Sequence, residues 1–198
     1  MKRFIVSFAL VLLAGASQAF AGESLFYKEI NLIGGYSRRR GVVDAGDMIT
    51  SSLGFELYRK FSNDYGDFLT ADLQVRLAYD STESLDDAWH IELHNAWLEY
   101  KLGLGKKIRI GHFDPAFGLE PAVDTHATLL KTLAGMSIGF SKDWGVEYRG
   151  TAQRFDYEIA LQSGSGMSVR RRDNSFLVTT RICTPSTNNL QYGASFLY

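Results

Sequence analysis

Residues 88–120 read AWHIELHNAWLEYKLGLGKKIRIGHFDPAFGLE. They predict two β-strands, Ala88–Leu102 and Lys106–Phe113, because apolar and polar residues alternate along both with the two-residue period of an extended chain. The connection between them is Gly103-Leu104-Gly105, and glycine favours the tight turn of a hairpin. The stretch therefore predicts a β-hairpin with one apolar face and one charged face.

The alternation changes phase within the longer strand. From Trp89 to Leu93 the apolar residues have odd numbers, and from Ala96 to Tyr100 they have even numbers. A shift of one residue is what a β-bulge produces, so the sequence predicts a bulge near Asn95.

The apolar face of this hairpin is as long as its strands, while the opposite face carries many charges that need water. The apolar face must therefore meet either lipid or the core of a protein. The remainder of the chain distinguishes these two environments.

The same alternation predicts about nine strands along the chain, each near the ten residues that a tilted membrane strand requires. The predicted strands are Phe26–Tyr36, Ile49–Phe61, Leu69–Tyr79, Ala88–Leu102, Lys106–Phe113, Val146–Ala152, Phe155–Gln162, Phe176–Cys183 and Leu190–Tyr198.

Longer and shorter connections alternate between these strands. The longer ones are Ser37–Gly46, Asp80–Asp87, Asp114–Asp143 and Ser163–Ser175, and the shorter ones are Ser62–Asp67, Gly103–Gly105, Gln153–Arg154 and Thr184–Asn188. Outer-membrane barrels have long outside loops and short periplasmic turns. The sequence therefore predicts an all-β fold, an antiparallel transmembrane β-barrel over residues 22–198, with a soluble periplasmic barrel or sandwich as the alternative.

The first 21 residues have the order of a secretory signal peptide. Lys2 and Arg3 precede an uncharged apolar run, and Ala19-Phe20-Ala21 supplies the small residues of a cleavage site. The chain has 19 Gly, 3 Pro and 13% aromatic residues, a composition typical of many strands joined by tight turns. The net charge of −1 gives no electrostatic reason to expect nucleic acid, and the single cysteine, Cys183, permits no internal disulfide.

The run HNAWLEYKLGLGKKIRIGHFDPAFGLE, followed by DTHATLLKTL, resembles the phosphate-selective porin (porin O and P) family of outer-membrane barrels. The resemblance covers residues 88–133, and Ala116 between Pro115 and Phe117 departs from the family pattern. It implies a channel with anion or phosphate preference, a homotrimer, and a segment after the strand Lys106–Phe113 that folds into the lumen.

If the apolar faces contact lipid, the polar faces line a lumen. We predict twelve pore-lining residues: Asp72, Gln74, Arg76, His90, Glu92, His94, Glu99, Lys107, Arg109, Glu147, Arg149 and Arg181. Charges of both signs are typical of a water-filled channel, because a packed core cannot bury so many ions. The alternative is a narrow barrel that the same residues fill as ion pairs.

Residues 121–138 belong to the longest connection and show helical spacing of leucines, which predicts a short helix either in the lumen or on the rim. His90, Glu92 and His94 share a strand face and could ligate a metal, but plain lumen residues are the better interpretation. Gly135–Gly139 fits Gly-x-Ser-x-Gly, yet every histidine precedes Ser137, so no hydrolase triad can follow in the required order. We predict no catalytic residues, no metal and no cofactor.

These features predict a porin of the bacterial outer membrane that allows passive diffusion of small solutes or ions. The alternative is a non-conducting barrel with a structural or surface-interaction role. The predicted partners are outer-membrane lipid and lipopolysaccharide, small solutes or anions, and further copies of the chain.

A count of nine strands predicts an incomplete barrel. The ninth strand would end at the cell surface, whereas bacterial single-chain barrels have even strand numbers and porins have about 16–18 strands. The sequence thus predicts an N-terminal fragment, perhaps half of the native barrel.

Overall fold

The computed structural model describes residues 22–32, 35–37, 41–43, 51–79, 88–118, 142–166, 174–185 and 187–198. The predicted signal peptide lies outside these ranges. The described residues form an all-β, antiparallel structure. None of them belongs to a helix with the length and hydrophobicity needed to traverse a bilayer.

Eleven strands follow one another along the described chain. They are β1 (Ser24–Asn31), β2 (Gly35–Ser37), β3 (Gly41–Val43), β4 (Ser51–Asn63), β5 (Gly66–Tyr79), β6 (Trp89–Gly103), β7 (Lys106–Phe113), β8 (Asp143–Thr151), β9 (Asp156–Gln162), β10 (Leu177–Cys183) and β11 (Gly193–Leu197).

Nine of these strands form one sheet in which each strand pairs with the next, in the order β1-β4-β5-β6-β7-β8-β9-β10-β11. Strands β2 and β3 pair separately within the first long connection. The large sheet is not closed. Because all eight pairings are antiparallel, its two edge strands, β1 and β11, run in the same direction.

The prediction of nine strands in one antiparallel sheet is confirmed, but the bounds of the outermost strands were wrong. The first strand stops at Asn31, opposite Ser52, where its backbone pairing with β4 ends. Tyr36 belongs instead to β2. The last strand begins at Gly193, because the amide of Thr184 donates to the carbonyl of Tyr192 (2.9 Å) and closes a longer connection than predicted.

The predicted bulge is confirmed in β6. Gln74 of β5 lies opposite Asn95, whereas the next residue, Val75, lies opposite Leu93, so His94 is the extra residue. This insertion keeps Leu93 and Ala96 on the same face of the sheet despite their odd spacing.

The backbone conformation of the turn between β6 and β7 explains why the turn contains two glycines. Gly103, Leu104 and Gly105 have φ angles of 91°, 50° and 74°. Three successive residues in the left-handed region are inexpensive for glycine and costly for most other residues. The two glycines therefore leave only Leu104 to bear that cost.

Many large apolar side chains are exposed on one face of the sheet, and several charged side chains are buried on the other. On the apolar face, Ile91 is 73% exposed and Ile110 is 57% exposed. On the polar face, Glu99 is 3% exposed and Glu147 is 2% exposed. One small apolar cluster packs within the apolar face, and it contains Ala71, Leu73, Leu93 and Ala96.

Candidate functional site

The strand register places eleven of the twelve predicted pore-lining residues on one face of the sheet, which we call the polar face. Residues directly opposite each other share a face, and Glu99 of β6 lies opposite Arg109 of β7, which lies opposite Glu147 of β8. His94 lies in the bulge, and its side chain reaches Glu92 on the same face. The remaining members of the set are Asp72, Gln74, Arg76, His90, Lys107, Arg149 and Arg181.

Glu99 is the centre of the largest charged cluster on the polar face. The side chain of Glu99 is 4% exposed, and its carboxylate accepts from Lys107 Nζ (2.9 Å), Arg109 (3.0 Å) and Arg149. Three cations on one carboxylate satisfy its lone pairs and offset the cost of burying it. The cluster joins β6, β7 and β8 through their side chains.

Arg109 extends this cluster in two further directions. One of its terminal nitrogens lies 3.4 Å from Oε2 of Glu147. Its guanidinium carbon lies 4.3 Å from the centroid of the Trp97 ring, which is within the range of a cation–π contact. The Arg109 guanidinium therefore lies among two other cations, Lys107 and Arg149, and two buried carboxylates, Glu99 and Glu147. Together these five side chains carry one net positive charge.

A second charged cluster lies at the other end of the polar face. Arg76 donates to both carboxylate oxygens of Glu29, with the shorter contact at 2.9 Å, and its other terminal nitrogen is 3.4 Å from His94. Glu92 lies between His90 and His94, at 3.1 Å from an imidazole nitrogen of each. The Arg76 guanidinium beside His94 would repel a cation bound to that imidazole. Among the described residues, no group of three or more potential ligands is arranged to hold a metal.

Residues Asp114–Gly118, which we call the strap, leave the end of β7 and cross the polar face. The amide of Ala116 donates to the hydroxyl of Thr179 on β10 (3.1 Å). The amide of Gly118 donates to the hydroxyl of Ser195 on β11 (2.9 Å). The strap therefore spans from β7 to the far edge of the sheet.

A third contact holds the end of the strap through a charged side chain. Arg181 of β10 donates to the carbonyl oxygen of Gly118 (3.0 Å) and also to Glu158 of β9 (2.7 Å). Because Glu158 fixes the guanidinium, Arg181 presents its other nitrogen to the strap at a defined position. Arg181 thus joins the predicted lining residues to the strap.

Lys142 fixes the beginning of the strap. Its ammonium lies 2.7 Å from the Asp114 carboxylate and 2.9 Å from the side-chain oxygen of Asn95, next to the bulge in β6. Between its contacts with Lys142 and Arg181, the strap lies beside the small residue Ala160. Ala116 packs against Trp97, Phe113 and Ala160, the buried apolar cluster on this face.

Sequence reasoning did not find the residues that hold the strap. Thr179, Ser195 and Lys142 carry no spacing that marks them, because hydroxyls and amines are ordinary on the polar face of a strand. The only available signal was that the two-residue period places Thr179 and Ser195 on the polar face of their strands. Residues 121–138, which include most of Gly135–Gly139, lie outside the described residues, so their predicted role stays a prediction.

No protein-family model matches the chain, and comparison with curated proteins also gave no match.

Proposed function

We propose that this chain forms the wall of a porin-like β-barrel in the bacterial outer membrane and allows passive diffusion of small solutes or ions. The observation that carries the proposal is that several charged side chains on the polar face are buried, whereas many large apolar side chains on the opposite face are exposed. A soluble sandwich would place the apolar face inside, because that burial is its main source of stability.

The size of the exposed apolar face supports a lipid environment. Monomeric soluble proteins rarely expose a contiguous apolar patch of more than a few hundred Å². Here exposed apolar side chains follow one another across the sheet, and among them are Phe26, Leu53, Leu77, Ile91, Leu98, Ile110, Val146, Ile159, Leu161, Ile182 and Phe196.

Aromatic pairs near both ends of the strands support the same environment. Tyr79 and Trp89, at the ends of β5 and β6 beside the 80–87 connection, have ring centroids 4.9 Å apart. Tyr148 and Tyr157, near the short turn between β8 and β9, have centroids 6.0 Å apart. Membrane barrels carry aromatic girdles at both interfaces, where rings with a polar tip contact apolar chains and water together.

A larger barrel accounts for the open sheet in this proposal. The edge strands β1 and β11 run in the same direction, so pairing them directly would give a parallel contact. Antiparallel closure requires an odd number of additional strands between them. Unpaired edges cost several kcal/mol per group in lipid, so closure with further strands is strongly favoured.

The charge balance around Glu99 supports a preference for anions. Lys107, Arg109 and Arg149 surround two carboxylates that are almost fully buried, while the Lys107 side chain is one-third exposed. A permeating anion therefore meets an accessible cation in front of shielded acids. This arrangement agrees with the resemblance to phosphate-selective porins, and trimer formation is part of the same proposal.

A second candidate function is a non-conducting barrel. The strap and the buried ion pairs of Glu99 and Glu147 fill the middle of the polar face, which favours a closed interior. Such a protein would act through its outer loops or its surface rather than by transport.

Planar-bilayer recordings of the refolded protein separate these candidates. Stepwise single-channel currents are expected for the porin. A protein that inserts, as judged by heat-modifiable migration and protection from protease, but carries no current would support the second candidate. A protein that does not insert into bilayers would contradict both.

A further inference from the structure

His112 of β7 is a buried histidine on the apolar face of the sheet. Its exposed fraction is 0%, and the register places it between Ala96 of β6 and Trp144 of β8. The centroids of the His112 and Trp144 rings are 5.3 Å apart. A polar ring among apolar neighbours is costly to bury unless it is hydrogen-bonded.

One imidazole nitrogen of His112 bonds to the backbone of the bulge in β6. Nδ1 lies 2.9 Å from the carbonyl oxygen of His94, which is the extra residue of that bulge. A carbonyl oxygen only accepts, so Nδ1 carries a proton and donates it. The bond therefore connects a side chain on the apolar face to the backbone at the bulge.

This bond gives the bulged residue a partner outside the regular ladder. A bulged residue is left out of the strand pairing, and its buried backbone groups need other partners. The pairing of β7 with β6 begins at Ala96, so the donor that β7 offers to His94 is a side chain. His112 thus stabilises the bulge from the neighbouring strand.

The bulge decides which residues at the start of β6 lie on the polar face. Because it adds one residue, Glu92 lies opposite Arg76 on the polar face, and Leu93 lies on the apolar face. Regular pairing through His94 would shift the alternation by one residue and exchange the faces of Glu92 and Leu93. A side chain that stabilises the bulge therefore keeps Glu92 on the polar face.

We propose that His112 is a positioning residue for the ion preference of the channel and acts through the bulge on Glu92. The inference rests on the proposed function, because it needs the polar face to line a lumen. Glu92 supplies a partly exposed carboxylate, 3.1 Å from an imidazole nitrogen of both His90 and His94. A permeating ion meets this negative charge only while the bulge holds β6 in register.

Two variants separate the Nδ1 donor from the rest of the His112 ring. His112→Asn keeps an N–H donor near the position of Nδ1, whereas His112→Leu removes the donor. In planar bilayers with a KCl gradient, we expect His112→Leu to raise the chloride-to-potassium permeability ratio by up to about fivefold, the effect of one nearby negative charge in a hydrated lumen. His112→Asn should keep the wild-type ratio. So should the control Trp144→Phe, which alters the ring beside His112 but leaves its donor in place.

A Glu92→Gln background tests whether the effect passes through Glu92. That substitution already removes the carboxylate, so His112→Leu should cause no further change in the permeability ratio. A general loosening of the barrel by His112→Leu would persist in this background. A second measurement needs no current: nitrogen NMR of the full chain in nanodiscs should show a proton on Nδ1 of His112.

Each other result contradicts a defined part of the inference. A His112 ring protonated only on Nε2 would exclude the bond to the bulge. A wild-type ratio in His112→Leu, or equal shifts in His112→Leu and His112→Asn, would exclude the positioning role and leave the channel proposal intact. If His112→Leu does not fold, His112→Gln takes its place, because its N–H lies near the position of Nε2 instead. A wild type that inserts without carrying current excludes the channel and the effect on ion preference together, whatever the NMR result.

Discussion

Arg76 on β5 reaches Glu29 on β1 although β4 lies between them. The residue of β4 between these two side chains is Gly54, which lies opposite both. A Cβ atom at Gly54 would come within 2.8 Å of Arg76 Cγ and 2.9 Å of the Val75 carbonyl oxygen. Because Gly54 has no side chain, Arg76 can reach across β4 and form the ion pair with Glu29.

We expect Gly54→Ala to destabilise the protein by about 1–3 kcal/mol, the range for a side chain forced into occupied space. The conflict is with Arg76 itself, so part of the loss should disappear when Gly54→Ala is made in an Arg76→Ala background. Urea unfolding of the two single variants and the double variant in lipid vesicles gives the coupling energy. Strictly additive losses would show that Gly54 has no role in the Arg76–Glu29 contact.

Ile110→Arg should test the environment of the apolar face. Ile110 is in the middle of β7 and well exposed, so in water the substitution should change stability by less than about 0.5 kcal/mol. In contact with lipid it should cost about 2–4 kcal/mol. The measurement is the unfolding free energy in lipid vesicles, with Asn188→Arg, at an exposed position between β10 and β11, as the control. Equal costs at the two sites would support a soluble fold.

Removing the acceptors of the strap should widen the lumen. Thr179→Val with Ser195→Ala deletes the two hydroxyl oxygens that accept from Ala116 and Gly118, each worth about 1 kcal/mol. We expect a larger single-channel conductance and more current noise in planar bilayers. Thr180→Val is the matched control, because Thr180 follows Thr179 in β10 and lies on the apolar face. A conductance equal to that of the control would exclude the strap as a constriction.

Glu99→Gln should change both stability and ion preference. The substitution leaves Lys107, Arg109 and Arg149 without their shared carboxylate, and breaking a buried pair in this way costs about 3–5 kcal/mol. It also adds one positive charge to the lumen, so the reversal potential in a KCl gradient should move toward that of chloride. The more exposed Glu92→Gln should cost less. A shift toward potassium would contradict the assignment of Glu99 to the lumen.

The two-residue period of the sequence predicted the strands, their faces and the bulge at His94. These features are set by residues that are neighbours along the chain. A shift of one residue in the alternation would move every side chain of a strand to the opposite face of the sheet. The period also placed eleven of the twelve predicted lining residues on the face where the register has them, while His94 is the bulged residue and the lining role stays a prediction. It did so for Glu99 and Arg181 without any knowledge of their partners.

The same period could not predict which distant residues meet. The contact of Arg76 with Glu29 depends on Gly54. From its sequence neighbours alone, a glycine within a strand indicates only that the strand is less stable there. The strap depends on hydroxyls at Thr179 and Ser195, which look like any polar residue in an alternating pattern. The bounds of β1 and β11 were wrong for a related reason, since a strand ends where its pairing with the neighbouring strand stops, and alternation along one segment does not show that point.

The strap also imposes an order on assembly. Its hydrogen bonds to Thr179 and Ser195 join residues 63 and 77 positions apart, whereas the hairpins β4–β5, β6–β7 and β8–β9 close over short turns. Closing a long loop costs entropy before any contact is gained, so such contacts form after the local ones. The strap has no docking surface until β10 and β11 are in place. Its closure is therefore a late event that occurs only once the far edge of the sheet exists, and until then the polar face is open to water.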